Sequence, residues 1–106
     1  MRVEFEFDEQ KIGSQGYTRE QIYGTIKRRF VERNLRCISD GKVLAFADNG
    51  GRQDFSHMWI MIDRLVNSDW FMACATACRW DSYDDGRYED VLSEAWKLDR
   101  RRKNGG

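Results

Sequence analysis

The chain has 106 residues, of which 41% are hydrophobic and 34% are charged, so it is expected to form one domain with a modest core. Its 18 basic and 18 acidic residues balance, which leaves no global field directed at nucleic acid or at an anionic membrane. No apolar run is long enough to span a bilayer, and the first residues do not read as a signal peptide. Together with three cysteines, these features predict a cytoplasmic protein with reduced thiols.

The first half of the chain predicts a strand, a helix and a hairpin. Residues 2–7 alternate apolar and charged side chains, which is the pattern of a strand with one buried face. Thr18 and Gln21 form a capping-box pattern at the start of a helix whose outer side carries arginines, and Asn34 is typical of its end. The Asp-Gly-Lys segment at 40–42 lies between two short apolar runs and predicts a β-hairpin.

The longest apolar stretch, 54–80, indicates where the core forms. Its first part predicts a helix that is capped by Asp54 and has one buried face. The apolar residues at helical spacing are Phe55, Met58, Trp59, Ile62, Leu65 and Val66. Residues 70–80 fit a strand or a helix, and the break at 67–69 together with the aromatic residues at both ends favours the strand.

A last amphipathic helix is predicted over residues 88–96, after an acidic loop at 81–87. Residues 1–99 are expected to form a single domain, and the basic tail at 100–106 is expected to be disordered. The element order predicts an α+β fold, the ferredoxin-like split βαβ arrangement (βαββαβ) with an added C-terminal helix. Because both faces of a strand at 70–80 would be apolar, the added helix or a second subunit is expected to cover one of them.

The reactive side chains do not form a recognisable catalytic or metal site. On one strand Cys74 and Cys78 would lie about 13 Å apart, too far to share a zinc ion, and on a helix they would lack a second close ligand pair. We therefore expect these thiols and that of Cys37 to be buried and structural. His57 has Ser56 beside it and Asp54 nearby, which is compatible with a general base, but no Gly-flanked nucleophile accompanies it. It is therefore expected at a cap or on a helix surface. No enzymatic activity, cofactor or metal is predicted.

An acidic cluster follows the long apolar stretch. Its members are Asp81, Asp84, Asp85, Glu89 and Asp90. Clustered carboxylates suit a hard divalent cation, but the spacing lacks the pattern of a calcium-binding loop. A solvated loop is the simplest interpretation, and an acidic patch that imitates nucleic-acid phosphates or docks on a basic protein groove is the alternative.

Two sets of residues are candidates for binding a partner. Aromatic and acidic side chains at the ends of the predicted fourth strand are the expected protein contacts, because Trp and Tyr are enriched at interface hot spots. They are Trp70, Trp80, Tyr83, Asp84, Asp85 and Tyr88, although both tryptophans also fit core packing. Basic residues of the first long helix and of the tail are the candidates for nucleic-acid contact. They are Arg28, Arg29, Arg33, Arg100, Arg101, Arg102 and Lys103.

The outward face of the first strand argues against one form of RNA recognition. Arg2, Glu4 and Glu6 occupy this face, where RNA-recognition domains of this topology present aromatic rings for base stacking. Nucleic-acid binding through the helix and the tail therefore remains the alternative to a protein partner.

A resemblance to known sequences covers nearly the whole chain. It is carried by MRVEFEFDEQKI, GYTREQIYGTIKRRF, SDGKVLAF, DWFMACATAC and EDVLSEAWKL. In these segments the chain is similar to uncharacterised small open reading frames carried by mobile elements of Gram-positive gut bacteria. The resemblance implies an accessory or inhibitory protein of a plasmid, phage or conjugative element, a class that includes anti-CRISPR proteins. It implies binding to host or element proteins, and it assigns no site residues. A homodimer is a separate expectation, in which a second subunit covers the apolar face of the predicted fourth strand.

Overall fold

The computed structural model describes residues 1–82 and 86–95. Its strands are β1 (Arg2–Phe7), β2 (Arg36–Asp40), β3 (Leu44–Ala47), β4 (Ala75–Asp81) and β5 (Glu89–Asp90). Its helices are α1 (Glu9–Ser14), α2 (Arg19–Glu32), α3 (Asp54–Val66) and α4 (Asp69–Cys74), and residues 91–95 are also helical. Within the described residues the strands form one antiparallel sheet in the order β2-β3-β1-β4-β5. The predicted α+β class is therefore confirmed.

Local sequence signals account for α2 and the hairpin that follows it. The Gln21 N–H donates to Thr18 Oγ1 and the Thr18 N–H donates to Gln21 Oε1, so the predicted capping box is present. Just past the end of the helix, Asn34 has a φ of 62°, a left-handed conformation that asparagine tolerates better than most residues. Strands β2 and β3 pair antiparallel around the predicted turn. These local predictions are confirmed.

The prediction of one strand over residues 70–80 is wrong for its first half. Helix α4 ends at Cys74, and β4 begins at the next residue. Phe71 and Cys74 are both buried and lie three residues apart, as one face of a helix requires. Cys78 and Trp80 are buried two residues apart, as one face of a strand requires.

Two other parts of the chain differ from the prediction: one helix was not predicted, and the last helix begins later than predicted. Helix α1 is absent from the predicted order, although Asp8 caps it by accepting the N–H groups of Gln10 and Lys11. Residues 89–90, predicted to begin the last helix, instead pair with β4 as a short edge strand. The helical turn therefore starts later, at residues 91–95.

Asp54 does not cap α3 as predicted. It is the first helical residue, and no side chain caps this helix end. Its buried carboxylate accepts the N–H groups of Asn49 and Gly51 instead, at 2.7 and 3.1 Å. Asp54 thus holds the loop that joins β3 to α3.

The core lies between the helices and one face of the sheet, and Phe5 is at its centre. The Phe5 side chain has no exposed surface. Its ring centroid lies 5.7 to 6.5 Å from those of Phe7, Phe30, Phe46 and Phe71. These rings come from β1, α2, β3 and α4, so their packing holds the two layers together.

The opposite face of the sheet carries a ladder of charged side chains. Arg79 of β4 lies 3.3 Å from Glu4 and 2.7 Å from Glu6. Glu4 also pairs with Arg2 at 3.1 Å and accepts a hydrogen bond from the Tyr88 hydroxyl at 3.2 Å. The expectation of an apolar second face on the fourth strand is therefore wrong for β4, because this strand is shorter than predicted and places Arg79 there.

Candidate functional site

Three aromatic side chains form a cluster on the side of α3 that faces β4. Trp80 is only 5% exposed, and its ring centroid lies 5.3 Å from those of Phe55 and Trp59. Trp59 stacks on Trp80 with an interplanar angle of 22°. Phe55 is 53% exposed and Trp59 is 46% exposed. This aromatic cluster, Phe55, Trp59 and Trp80, therefore has one buried ring that supports two exposed rings.

The position of Phe55 and Trp59 on α3 explains their exposure. The buried apolar side chains of this helix form one stripe, made of Met58, Met61, Ile62 and Leu65. Phe55 and Trp59 lie beside this stripe, and the Trp80 ring of β4 covers each of them only in part. The prediction that both belong to the buried face is therefore wrong.

Trp80 supports the cluster and is not itself an accessible contact residue. Core packing, the alternative interpretation of this tryptophan, therefore applies to Trp80. Its indole Nε1 is buried and has no hydrogen-bond acceptor among the described residues. Because the ring is fixed in the core, it gives a fixed support to Trp59, which stacks on it, and to Phe55, whose ring is tilted against it by 41°.

Trp70 lies in a different part of the molecule, beside the arginines of α2. The guanidinium carbon of Arg29 is 5.9 Å from the centroid of the Trp70 ring, which is the distance of a cation–π contact. Arg29 and Arg33 line a cleft of about 610 Å³ together with Arg64 of α3. We call this space the arginine cleft.

A second depression adjoins Trp70 on its other side. It has a volume of about 410 Å³, and its lining includes Tyr17, Gly24, Arg28 and Trp70. We call it the Trp70 groove. The three arginines predicted on α2 are therefore close to one another, and the structure adds Arg64 and Trp70 to them.

Three of the predicted protein contacts, Trp70, Trp80 and Tyr88, lie among the described residues, and these three do not form one patch. Trp70 packs near α2, Trp80 lies on the core face of the sheet, and Tyr88 donates to Glu4 on the opposite face. Desolvation and the Glu4 carboxylate raise the pKa of Tyr88. The remaining predicted residues lie outside the described part of the chain. They are Tyr83, Asp84, Asp85, Arg100, Arg101, Arg102 and Lys103.

The acidic cluster does not act as one unit in the described residues. Asp81 belongs to β4, is only 2% exposed and accepts the Gly86 N–H at 3.0 Å. Glu89 and Asp90 are exposed on β5. The interpretation of a solvated loop is therefore wrong for Asp81, which is a buried residue of β4.

The remaining reactive side chains have structural surroundings. Cys74 and Cys78 are buried as predicted, and burial raises the pKa of both thiols, that of Cys78 to about 12. Cys37 is exposed, so the prediction of a buried thiol is wrong there. His57 Nδ1 lies 3.3 Å from the Arg33 carbonyl oxygen and links α3 to the end of α2. Within residues 1–82 and 86–95, no group of three His, Cys, Asp or Glu side chains could hold a metal ion.

Comparison with family models, curated proteins and solved structures gives no match to this chain. Within the part of the chain that the structure describes, no helix is long and apolar enough to cross a membrane. The aromatic cluster and the arginine-rich surface of α2 are therefore candidate sites on the strength of their geometry alone.

Proposed function

We propose that this chain is a non-enzymatic protein-binding module and that the aromatic cluster is its contact surface. The observation that carries the proposal is the exposure of Phe55 and Trp59 above the buried ring of Trp80. Aromatic side chains anchor most interface hot spots, because a partner that covers them removes a large apolar area from water. Contact with Trp80 limits the motion of both rings before binding, so less entropy is lost when the complex forms.

The proposal extends to the topology and to the biological setting. Strand order β2-β3-β1-β4, with α2 and α3 in the two crossover connections, supports a ferredoxin-like split βαβ arrangement. The sequence resemblance alone supports an accessory or inhibitory role for a mobile element, and the cysteine content of the sequence supports a cytoplasmic location. A second copy of the chain, bound in a homodimer, is among the protein partners that the proposal covers.

Site-specific crosslinking tests the contact surface. A photoreactive p-benzoylphenylalanine in place of Phe55 should give a discrete crosslinked product in cells of the native host. The same residue in place of Val31 is the matched control, because Val31 is apolar, 59% exposed and located on α2 away from the cluster. A product of twice the chain mass would identify the partner as a second copy.

A second substitution makes this test specific. Trp59→Ser in the Phe55 crosslinking variant should remove the product, since loss of a hot-spot residue weakens binding by about 30-fold or more. Circular dichroism would check that the variant is folded. A product that forms equally from position 31, or one that survives Trp59→Ser, would contradict the proposal.

A further inference from the structure

Two adjoining depressions run along α2, away from the aromatic cluster. The arginine cleft lies between α2 and the C-terminal part of α3, and the Trp70 groove follows the first half of α2. Arg29 lines the cleft and Trp70 lines the groove, so this stacked pair forms the wall between them. The combined surface extends from Glu20 to Arg33, which corresponds to about 20 Å of helix.

No carboxylate in residues 1–82 and 86–95 forms an ion pair with the guanidinium groups of the cleft. Two other basic residues of α2 are paired: Arg19 lies 3.5 Å from Glu9, and Lys27 lies 2.7 Å from Asp40. In contrast, Arg29, Arg33 and Arg64 have no ion pair with any described carboxylate. Their donors are therefore available to an anionic ligand.

Two carboxylates also line the cleft, and they reduce its positive electrostatic potential. Glu32 and Asp63 lie beyond ion-pair distance of the arginines, and Asp63 Oδ1 is 3.3 Å from the side-chain nitrogen of Asn67. The lining thus combines three positive with two negative side chains. An anion would be held by direct contact with guanidinium groups, and long-range attraction would contribute little.

The Trp70 groove places ring surface beside these positive charges. Tyr17 is 41% exposed and Trp70 is half-buried, so both present aromatic area to the groove. Gly24 leaves its floor open, because a Cβ atom added there would have no neighbour within 4 Å. Glycine is unfavourable inside a helix, and here its effect is to keep space free on α2 between the two rings.

We propose that the groove and the cleft together bind a short single-stranded nucleic acid, with bases in the Trp70 groove and phosphates in the arginine cleft. Proteins that bind single strands without sequence preference combine these two features, aromatic stacking platforms and basic side chains along the backbone. The cation–π contact holds Arg29 in place between the two compartments. A duplex keeps its base faces stacked internally, so it could use the cleft but not the groove. Single strands should therefore bind better.

The number of arginines sets the expected salt dependence. For single strands, the slope of log K against log salt concentration is about −0.7 for each phosphate contact, so three contacts predict a slope of about −2. Between about 50 and 200 mM salt, the affinity of the native chain should fall about 20-fold. Arg33→Gln removes one contact, and its affinity should fall about 7-fold over the same range.

Fluorescence anisotropy with labelled DNA and RNA of about 8 nucleotides, single- and double-stranded, tests the proposal. Arg33→Gln and Arg64→Gln should each weaken single-strand binding several-fold. Gly24→Leu should also weaken it, because the new side chain begins in the groove, its Cβ meets no atom within 4 Å, and leucine raises helix propensity. Arg52→Gln is the matched control, since it removes the same charge from an exposed loop outside both depressions.

A full-length variant with a neutral tail separates this surface from the basic tail. In it Arg100, Arg101, Arg102 and Lys103 are all replaced by Gln. Binding that persists in this variant and is weakened by Arg33→Gln supports the proposal. Binding that is lost with the tail charges and is unchanged by Arg33→Gln overturns it.

Four other results would also overturn the proposal. The first is equal affinity for duplex and single strand, and the second is an equal loss in Arg52→Gln and Arg33→Gln. The third is competition by a poly-glutamate peptide together with no effect of Gly24→Leu, which would assign the cleft to acidic peptides. The fourth is no binding at about 50 mM salt, where the affinity should be highest.

Discussion

The centre of the aromatic core is where a substitution should reduce stability most. Phe5 is fully buried, and rings from four different elements lie within 6.5 Å of its own. Replacing a buried Phe by Ala lowers the free energy of unfolding by about 3–5 kcal/mol through lost burial and the cavity left behind. The lost ring–ring contacts place Phe5→Ala near the upper end of that range.

This loss is large compared with the total stability of a small domain, which is about 5–15 kcal/mol. Phe5→Leu keeps most of the buried volume and loses only the ring geometry, so it should cost about 1–2 kcal/mol. Phe55→Ala is the control at a surface position. The Phe55 ring is 53% exposed, and its removal should cost about 1 kcal/mol or less.

Urea unfolding followed by circular dichroism measures these differences. With a slope of about 2 kcal/mol per M, Phe5→Ala should lower the midpoint by about 2 M and Phe55→Ala by about 0.5 M or less. The order of effects should be Phe5→Ala, then Phe5→Leu, then Phe55→Ala. If Phe5→Ala and Phe55→Ala lower the midpoint equally at an unchanged slope, Phe5 is not the centre of the core.

Three further predictions concern thiol reactivity, a helix cap and a backbone conformation. At pH 8 a thiol reagent should label Cys37 rapidly but Cys74 and Cys78 only after unfolding. Burial raises the pKa of Cys74 and of Cys78, and the thiolate is the nucleophile. Rapid labelling of a second thiol in the folded protein would refute this. Thr18→Ala should lower the free energy of unfolding by about 1 kcal/mol and Thr18→Ser by much less, so equal losses would mean that the capping box contributes nothing. Asn34→Ala should lower the thermal midpoint and reduce the free energy of unfolding by about 1 kcal/mol, because alanine adopts a φ of 62° only with strain. Asn34→Gly should not lower the midpoint, since glycine adopts this φ without strain. Identical midpoints for the two variants would contradict the left-handed conformation.

Local signals allowed the first half of the fold to be predicted from the sequence. The capping box of Thr18 and Gln21, the end of the helix near Asn34 and the hairpin turn each depend on residues a few positions apart. Their hydrogen bonds and backbone conformations are decided within one or two turns of chain. For the same reason, Arg29 and Arg33 could be placed on one side of a helix before any contact was known.

The second half of the fold depends on contacts between distant residues. Residues 70–80 have a composition that suits both a helix and a strand, and pairing with β1 decides where β4 begins. Residues 89–90 form a strand because they pair with Arg79 and Trp80 at the edge of the sheet. Neither outcome is encoded in the few residues involved, because β-structure depends on the partner strand.

The candidate sites were predictable only in part, for the same physical reason. Helical periodicity identified α3 and its apolar side, but how much of that side the sheet covers determines that Phe55 and Trp59 remain exposed. The arginines of α2 follow from the sequence, whereas Trp70 reaches them only because α4 packs beside α2. The sequence by itself determined which local elements form and which residues they carry. The tertiary structure decided which side chains meet, because burial depends on neighbours that lie far away along the chain.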